Sequence, residues 1–321
     1  MKRWLKPFKY DPLPALLNCG NEAIVAFTKR DLLEASVAIE PLWQLPTPQR
    51  IIRRQSPGGF WRASAARKAQ RSVQDFDQHE TYKQLAILVE MYGYTRQHPA
   101  IAACAEYFFS QQSVAGDFRG IYGNQYSPNY TAAITELLIN AGYSTDPRIT
   151  TVFTWLLSCR QNDGGWAIPL RTREYGISII PQDHPTIEPD TSKPSSTMVT
   201  AIVLRAFAAH PKYRKTVAAH KAGQIVLSNL FKKDQYPDRA SSQYWLRFCF
   251  PFDYTHLISA LDSLSQLGFA ANPHFKEAKQ WFITNQERNG CWKFKIIRGS
   301  DKETLQLWLA LATCRVFKRI Q

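Results

Sequence analysis

Apolar residues recur at helical spacing through most of the chain, in two alternating kinds of segment. One kind opens with a residue followed by proline and closes on glutamine: "HPAIAACAEYFFSQQ", "DPRITTVFTWLLSCRQ" and "NPHFKEAKQWFITNQ". Proline suits the first turn of a helix, where its missing N–H costs nothing. The other kind comprises "HETYKQLAILVEMYGY", "NYTAAITELLINAGY", "SSTMVTAIVLRAFA", "DYTHLISALDSLSQLGF" and "KETLQLWLALATCRVF". Three of these end in glycine, at Gly93, Gly142 and Gly268, a normal helix stop. Counting twelve residues back from each glycine gives Thr81, Tyr130 and His256, and the matching leucine spacing gives Ser196 and Thr304. These five are expected on one level of a ring of helix starts. Strand-like patterning is sparse, and "GISII" near Gly176 is the single candidate.

The ends of the first kind of segment carry a second pattern. Gln161 is followed by Gly164, Gly165 and Trp166, Gln286 by Gly290 and Trp292, and Gln55 by Gly58, Gly59 and Trp61. Gln112 is followed by Gly116 and Phe118. "GQIVLSNLFKKDQYPD" is a degenerate copy without Gln or Trp at the expected place. A helix end leaves carbonyls without partners. A Gln amide can donate to them, and a Trp just past a Gly can stack back on the helix. Repeated at each helix end, this staples neighbouring units together and is a stability device rather than a catalytic one. The unit is helix, turn, helix, at about 50–70 residues and repeated about five times. The reading is a single domain over 1–321, with a helical extension at about 1–44 and an irregular insertion at about 167–194, rich in Pro, Arg, Thr and Asp. Insertions of that length are often functional.

Composition narrows the class. The chain has 321 residues, 45% of them hydrophobic, enough for a sizeable core. No apolar run approaches the ~20 residues of a membrane span, and Asp11 and two prolines interrupt the N-terminus before a signal-peptide core. The six cysteines form no Cys-x-x-Cys pair, which points to reduced thiols and a cytoplasmic setting. The formal charge of +14 calls for an anionic partner or a solvated basic surface. A phosphorylated substrate and peripheral contact with an anionic membrane both fit. No helix-turn-helix, zinc-finger or ribonucleoprotein motif accompanies the charge, so no specific nucleic acid is expected.

The Gln, Gly and Trp residues above resemble the repeats of terpene cyclases of the squalene–hopene type and of the β subunits of protein prenyltransferases. The resemblance runs from about Leu45 to the C-terminus. "NAGYSTDPRITTVFTWLLSCRQNDGGW" is also similar to bacterial and archaeal proteins labelled prenyltransferase-like. The resemblance implies an all-α fold, an α/α toroid (barrel) of about five to six helical hairpins. It implies an isoprenoid-handling protein, prenyltransferase-like or terpene cyclase-like, acting on a prenyl diphosphate or other polyprenyl lipid. The alternative is a non-catalytic toroid that binds a lipid or a protein partner.

Such cyclases protonate an alkene or epoxide with the central Asp of an Asp-x-Asp-Asp-Thr-Ala motif at an inner-helix start. The matching helix here, "KPSSTMVTAIVLRAF", offers Lys193, Ser195 and Ser196 at those places. Just upstream, "IEPDTS" supplies Glu188 and Asp190 as the candidate acids; the other reading of Asp190 is a helix-capping loop. The prenyltransferases bind zinc with Asp, Cys and a later His. His256 falls at a counterpart of that His, but Lys193 and Ser195 are poor ligands. No cofactor is therefore expected, with zinc at His256, alongside Cys249 and Asp253, as the alternative. "YWLRFCFPFDY" holds the densest aromatic cluster, with Trp245, Phe248, Phe250, Phe252 and Tyr254. An aromatic wall suits a polyprenyl chain, although ordinary core would look the same. Arg171, Arg173, Lys193 and Arg247 are expected at the mouth, where Arg suits bidentate contact with a diphosphate.

Overall fold

The computed structural model describes residues 2–69, 74–176 and 184–321. Only Gly176 of "GISII" is among them, so that strand candidate lies outside the described residues. The chain is helical. The first helices are α1 (Leu13–Leu17), α2 (Glu22–Phe27), α3 (Pro46–Ile52), α4 (Ala65–Lys68) and α5 (Phe76–Tyr92). Then come α6 (Pro99–Ser110), α7 (Pro128–Leu138), α8 (Pro147–Ser158), α9 (Pro169–Thr172) and α10 (Thr197–Ala209). The last are α11 (Val217–Ser228), α12 (Leu257–Gln266), α13 (Pro273–Thr284) and α14 (Lys302–Arg319). Two short strands, β1 (Arg247–Phe248) and β2 (Lys295–Ile296), pair in parallel.

Six helices close on one another. α2 packs on α5, α5 on α7, α7 on α10, α10 on α12, α12 on α14, and α14 on α2. The remaining long helices pack against members of this ring: α6 against α5, α8 against α7, α11 against α10 and α12, and α13 against α12. α10 is buried at every position from Thr197 to Ala208, which matches a helix that is apolar on all sides. The ring helices run the same way. The starts of α10 and α12 meet where Thr255 donates to the Met198 carbonyl at 2.7 Å. On the other side, Arg319 at the end of α14 donates to Asp262 in the second half of α12 at 2.9 Å.

The Gln–Gly–Trp turns show why the pattern repeats. Each tryptophan Nε1–H donates to the carbonyl ten residues earlier: Trp61 to Ile51 (2.8 Å), Trp166 to Leu156 (2.6 Å) and Trp292 to Phe282 (2.7 Å). Each glutamine donates twice. Gln55 reaches the carbonyls of Gly59 and Ala100, and Gln112 those of Gly116 and Arg148. One bond closes the turn; the other ties it to the start of the next outer helix. Gln161 instead reaches Asp190 and Lys193 (2.7 and 2.9 Å), so the insertion stands in for a helix start. Gln286 holds Gly290 and Tyr10, which joins the last turn to the N-terminal segment. A Cβ on Gly290 would lie 2.2 Å from the Asp11 carbonyl oxygen, and its φ of +81° suits glycine alone.

Two expectations need correction. Thr81 is not a helix start: α5 begins at Phe76 and is capped by Asp75, whose side chain accepts from Gln78 N–H. Thr81 instead belongs with Thr131 and Thr200. Their hydroxyls accept from the backbone N–H of Trp61, Phe118 and Trp166 at 2.9, 3.2 and 3.0 Å. The degenerate copy has also kept a tryptophan. Trp245 is fully buried and donates to the Lys232 carbonyl at 2.9 Å, a staple displaced along the chain.

Candidate functional site

The starts of the ring helices form one end of the molecule, and the segment 237–254 lies over it. Tyr82 and His79 of α5 sit edge-on to Tyr130 of α7 at 6.0 and 5.8 Å, and Tyr122 meets Tyr130 at 5.5 Å. Phe250 to Tyr254 descend between them. Phe250 stacks on Trp308 of α14 at 5.3 Å, and Phe252 faces the Arg205 guanidinium of α10 at 5.9 Å. Asp253 pairs with Arg298, which also donates to the Tyr254 hydroxyl.

Beside this plug lies a cleft of about 390 Å³ walled by Arg239, Arg247, Arg298, Tyr244, Tyr254 and Ile297. Its charge is not balanced from within. Arg298 shares Asp253, and Asp238 on the rim is held by Arg171 through two bonds of 2.8 and 2.6 Å. Among the described residues the Arg239 side chain bonds only the Asp238 carbonyl, and it lies 5.2 Å over the Tyr254 ring. Among the described residues, neither Arg239 nor Arg247 has a carboxylate partner. Tyr244 is 6% exposed, and its hydroxyl has no partner among the described residues. Burial pushes that hydroxyl's pKa up, so it stays a neutral donor. Ile297 is 42% exposed on the same wall. Cationic donors and an exposed apolar side chain thus share one cleft, which suits an amphiphile with an anionic head.

The residues expected from sequence fall in several places. Arg247 and Tyr254 line this cleft. Arg171 and Lys193 line a neighbouring one of about 350 Å³ with Tyr236. Arg173 lines neither; it reaches Asp190 at 3.7 Å and the Glu188 carbonyl at 3.4 Å. With Arg171 committed to Asp238, the four basic residues expected at the mouth, Arg171, Arg173, Lys193 and Arg247, do not converge on one point.

The aromatic residues divide likewise. Trp245 is a staple, and Phe248 is core, packed on His256, Trp281 and Phe294. Phe252 and Tyr254 alone of the proposed wall are part-exposed at the mouth.

Asp190 does not have the surroundings of a proton donor. Hydrogen bonds from the Ser192 hydroxyl and N–H, with Arg173 and Lys193 nearby, hold its carboxyl below the usual range. It stays ionised and faces solvent, a turn-capping role. Glu188 accepts from the Tyr126 hydroxyl at 3.0 Å, away from the ring's interior.

His256 is fully buried and caps α12. Its Nδ1 accepts from Ser259 N–H at 3.3 Å, and Nε2–H donates to the Cys249 carbonyl at 3.1 Å. Burial pushes its pKa down to about 3, so it is neutral with both ring nitrogens engaged. No lone pair remains for zinc, and no group of three His, Cys, Asp or Glu among the described residues is placed to hold a metal.

Two features escaped the sequence reading. The carboxylate expected at the α10 start is supplied from the degenerate repeat. Asp234 accepts from the Ser196 hydroxyl at 3.0 Å and from Met198 N–H at 2.7 Å. Burial raises its pKa against the pull of those donors. Deeper in, Arg205 of α10 pairs with Glu136 of α7 at 2.5 Å. Burial pushes the Glu136 carboxyl up while Arg205 pulls it down. The Arg205 Nε and Nη1 groups have no partner among the described residues. A lone charged residue on each of two largely apolar helices was the available signal.

No protein-family model matches the chain, and no curated protein does. Among solved structures, a variant of the type II terpene cyclase MstE from Scytonema, in complex with geranylgeranyl dihydroxybenzoate, is similar. It has 13% identity and a TM-score of 0.45 over 92% of this chain and 86% of that one. A protein from Actinoplanes gives 14% identity and a TM-score of 0.43 over 88% and 87%. At such identities and scores, no activity or ligand transfers from them.

Proposed function

We propose that the chain is an α/α toroid of about five to six hairpins stapled by Gln…Gly-x-Trp-type repeats, and that it binds a prenyl diphosphate at its mouth. The closed succession of ring contacts supports the toroid. The observation that carries the ligand class is the pair Arg239 and Arg247, without carboxylate partners among the described residues, in one cleft with the exposed Ile297. A diphosphate would take bidentate contacts from the arginines. Ile297, Tyr254 and Phe252 offer the apolar surface for the first isoprene units.

The reading is binding rather than cyclisation. A protonation-driven cyclase needs a neutral acid aimed into an apolar cavity. Asp190 is ionised and part-exposed, and the interior carboxyl of Glu136 is engaged by Arg205. This favours the non-catalytic alternative over a cyclase, with the same lipid as ligand.

Isothermal titration calorimetry with geranylgeranyl diphosphate, geranylgeraniol and inorganic diphosphate tests the proposal. The prenyl diphosphate should bind most tightly, and Arg239→Ala with Arg247→Ala should weaken it by at least about tenfold. Equal affinity for the alcohol, or no change in the double variant, would sink the proposal. Cyclic product from squalene would overturn the non-catalytic reading.

A further inference from the structure

The molecule carries a second concentration of uncompensated charge, on its outer surface and away from the cleft. From Thr191 to Lys233 the chain has eight Lys or Arg and no Asp or Glu. Much of that charge surrounds α11. Val217, His220, Lys221 and Gln224 are all exposed, and their spacing of three and four places them on one stripe of the helix. Lys212 and Lys215 stand exposed just before it, and Lys232 and Lys233 just after it. Lys212, Lys215 and Lys221 have no carboxylate partner among the described residues.

Val217 marks this stripe as more than a solvated face. It is 85% exposed, an apolar residue in the first turn between lysines. Alongside runs a groove of about 560 Å³ walled by Arg214, Lys215 and His220, with Arg319 at its edge. Arg319 is already held by Asp262, so the groove's free cations are those of the α11 side. A duplex would find phosphate contacts here but no side chain set to read a base edge, and no use for an exposed valine. A lipid leaflet uses both features. Its headgroup phosphates meet the cations, and the valine enters the boundary between headgroups and acyl chains.

We infer that the α11 face, centred on Val217 with Lys212, Lys215 and Lys221 around it, docks on an anionic lipid surface. One exposed apolar side chain is too little to anchor the protein by itself. The attachment is therefore electrostatic, reversible and weakened by salt.

The test is co-sedimentation of the full chain with vesicles of equal parts phosphatidylcholine and phosphatidylglycerol, against phosphatidylcholine alone. Binding should require the anionic lipid and fall with added salt. Each basic residue near such a leaflet contributes about fivefold in partition. The variant Lys212→Glu/Lys215→Glu/Lys221→Glu should therefore lose at least about 100-fold. A control that changes net charge equally at exposed positions elsewhere, Lys6→Glu/Lys29→Glu/Arg53→Glu, should lose much less. Val217→Asp should weaken binding with a smaller charge change. Circular dichroism confirms that each variant is folded. Equal losses in the two triple variants would reduce the effect to net charge and overturn the proposal. So would tighter binding of duplex DNA or polyglutamate through the same three lysines.

Discussion

The two ends of the ring are both rich in arginine, yet they are built on opposite principles. At the end where the ring helices stop, a cavity of about 620 Å³ is lined by Arg30, Arg315, Lys318 and Arg319. Every one of these has a carboxylate. Asp31 takes Arg30 and Arg315 at 2.6 Å each, Lys318 reaches Glu34 at 2.9 Å, and Arg319 reaches Asp262 at 2.9 Å. Cations also suit helix C-termini, where the peptide dipoles leave partial negative charge. The cations of that cavity are matched by carboxylates of the protein itself. The mouth has the smaller cleft, about 390 Å³, but keeps Arg239 and Arg247 without carboxylates among the described residues. Volume alone would favour the other end; the accounting of charge is what favours the mouth in the proposed reading.

The largest expected effect lies between the two ends. Glu136→Ala would strand the Arg205 guanidinium in the interior, and breaking a buried pair costs about 3–5 kcal/mol. Urea unfolding should show that loss. The double variant Glu136→Leu/Arg205→Met should recover most of it, because a buried pair replaced by apolar residues of similar volume is often near neutral. No recovery would mean that Arg205 makes a further contact that its unpartnered nitrogens do not reveal.

At the end with matched cations, Asp31→Ala should cost about 2 kcal/mol, less than a fully buried pair because both partners keep some exposure. Burial opposes the charge on Asp31, yet Arg315 and Arg30 together hold its carboxyl below the usual range. Diphosphate affinity at the mouth should not change. If affinity rises in parallel, ligand has moved to the newly freed Arg315, and the distinction between the ends fails.

How much of this contrast was legible in the sequence follows from the range of each interaction. The turns were legible because Gln161, Gly164 and Trp166 act within ten residues of one another and repeat. The helices were legible from their periodicity. Pairings between repeats were not. Arg171 meets Asp238, Glu136 meets Arg205, and Asp234 caps α10 from beyond the following helix. Each needs the rotation of one hairpin against the next, which no local pattern encodes. The same gap explains Trp245. Its staple spans thirteen residues rather than ten, so it looked like part of an aromatic wall.

Acid should separate the ends next. His79 and His256 lie near the mouth, and burial pushes both pKa values down to about 3 from an ordinary 6.5. Unfolding frees them to take protons, so the stability that they contribute is complete above about pH 6.5 and is lost as pH falls toward 3. Asp31 is also depressed, but from 3.8, so its contribution persists to a much lower pH. At pH 5 each histidine would account for up to about 2 kcal/mol. Hydrogen exchange at pH 5 should therefore show lost protection at the starts of α5 and α12 before the ends of α12 and α14. Uniform loss would mean that the ring opens as one cooperative unit.

The smallest effect on the free protein should come from the residues proposed to hold the diphosphate. Arg247 is exposed and has no carboxylate partner among the described residues, so Arg247→Ala should change stability by no more than about 0.5 kcal/mol. Arg239 has one backbone bond and a ring face to lose, still a minor surface change. The difference should appear only when ligand is added. A ligand that binds the folded state alone stabilises it by mass action, about 2.7 kcal/mol at a hundredfold excess over Kd. Thermal melts with geranylgeranyl diphosphate should therefore shift upward for wild type and for Asp31→Ala, but not for Arg239→Ala/Arg247→Ala. High salt should shrink the wild-type shift, since the contacts are largely with exposed cations. A double variant that melts lower without ligand yet shifts as much with it would show that these arginines hold the plug rather than the ligand. The anion would then have to be sought beside Lys193 in the neighbouring cleft.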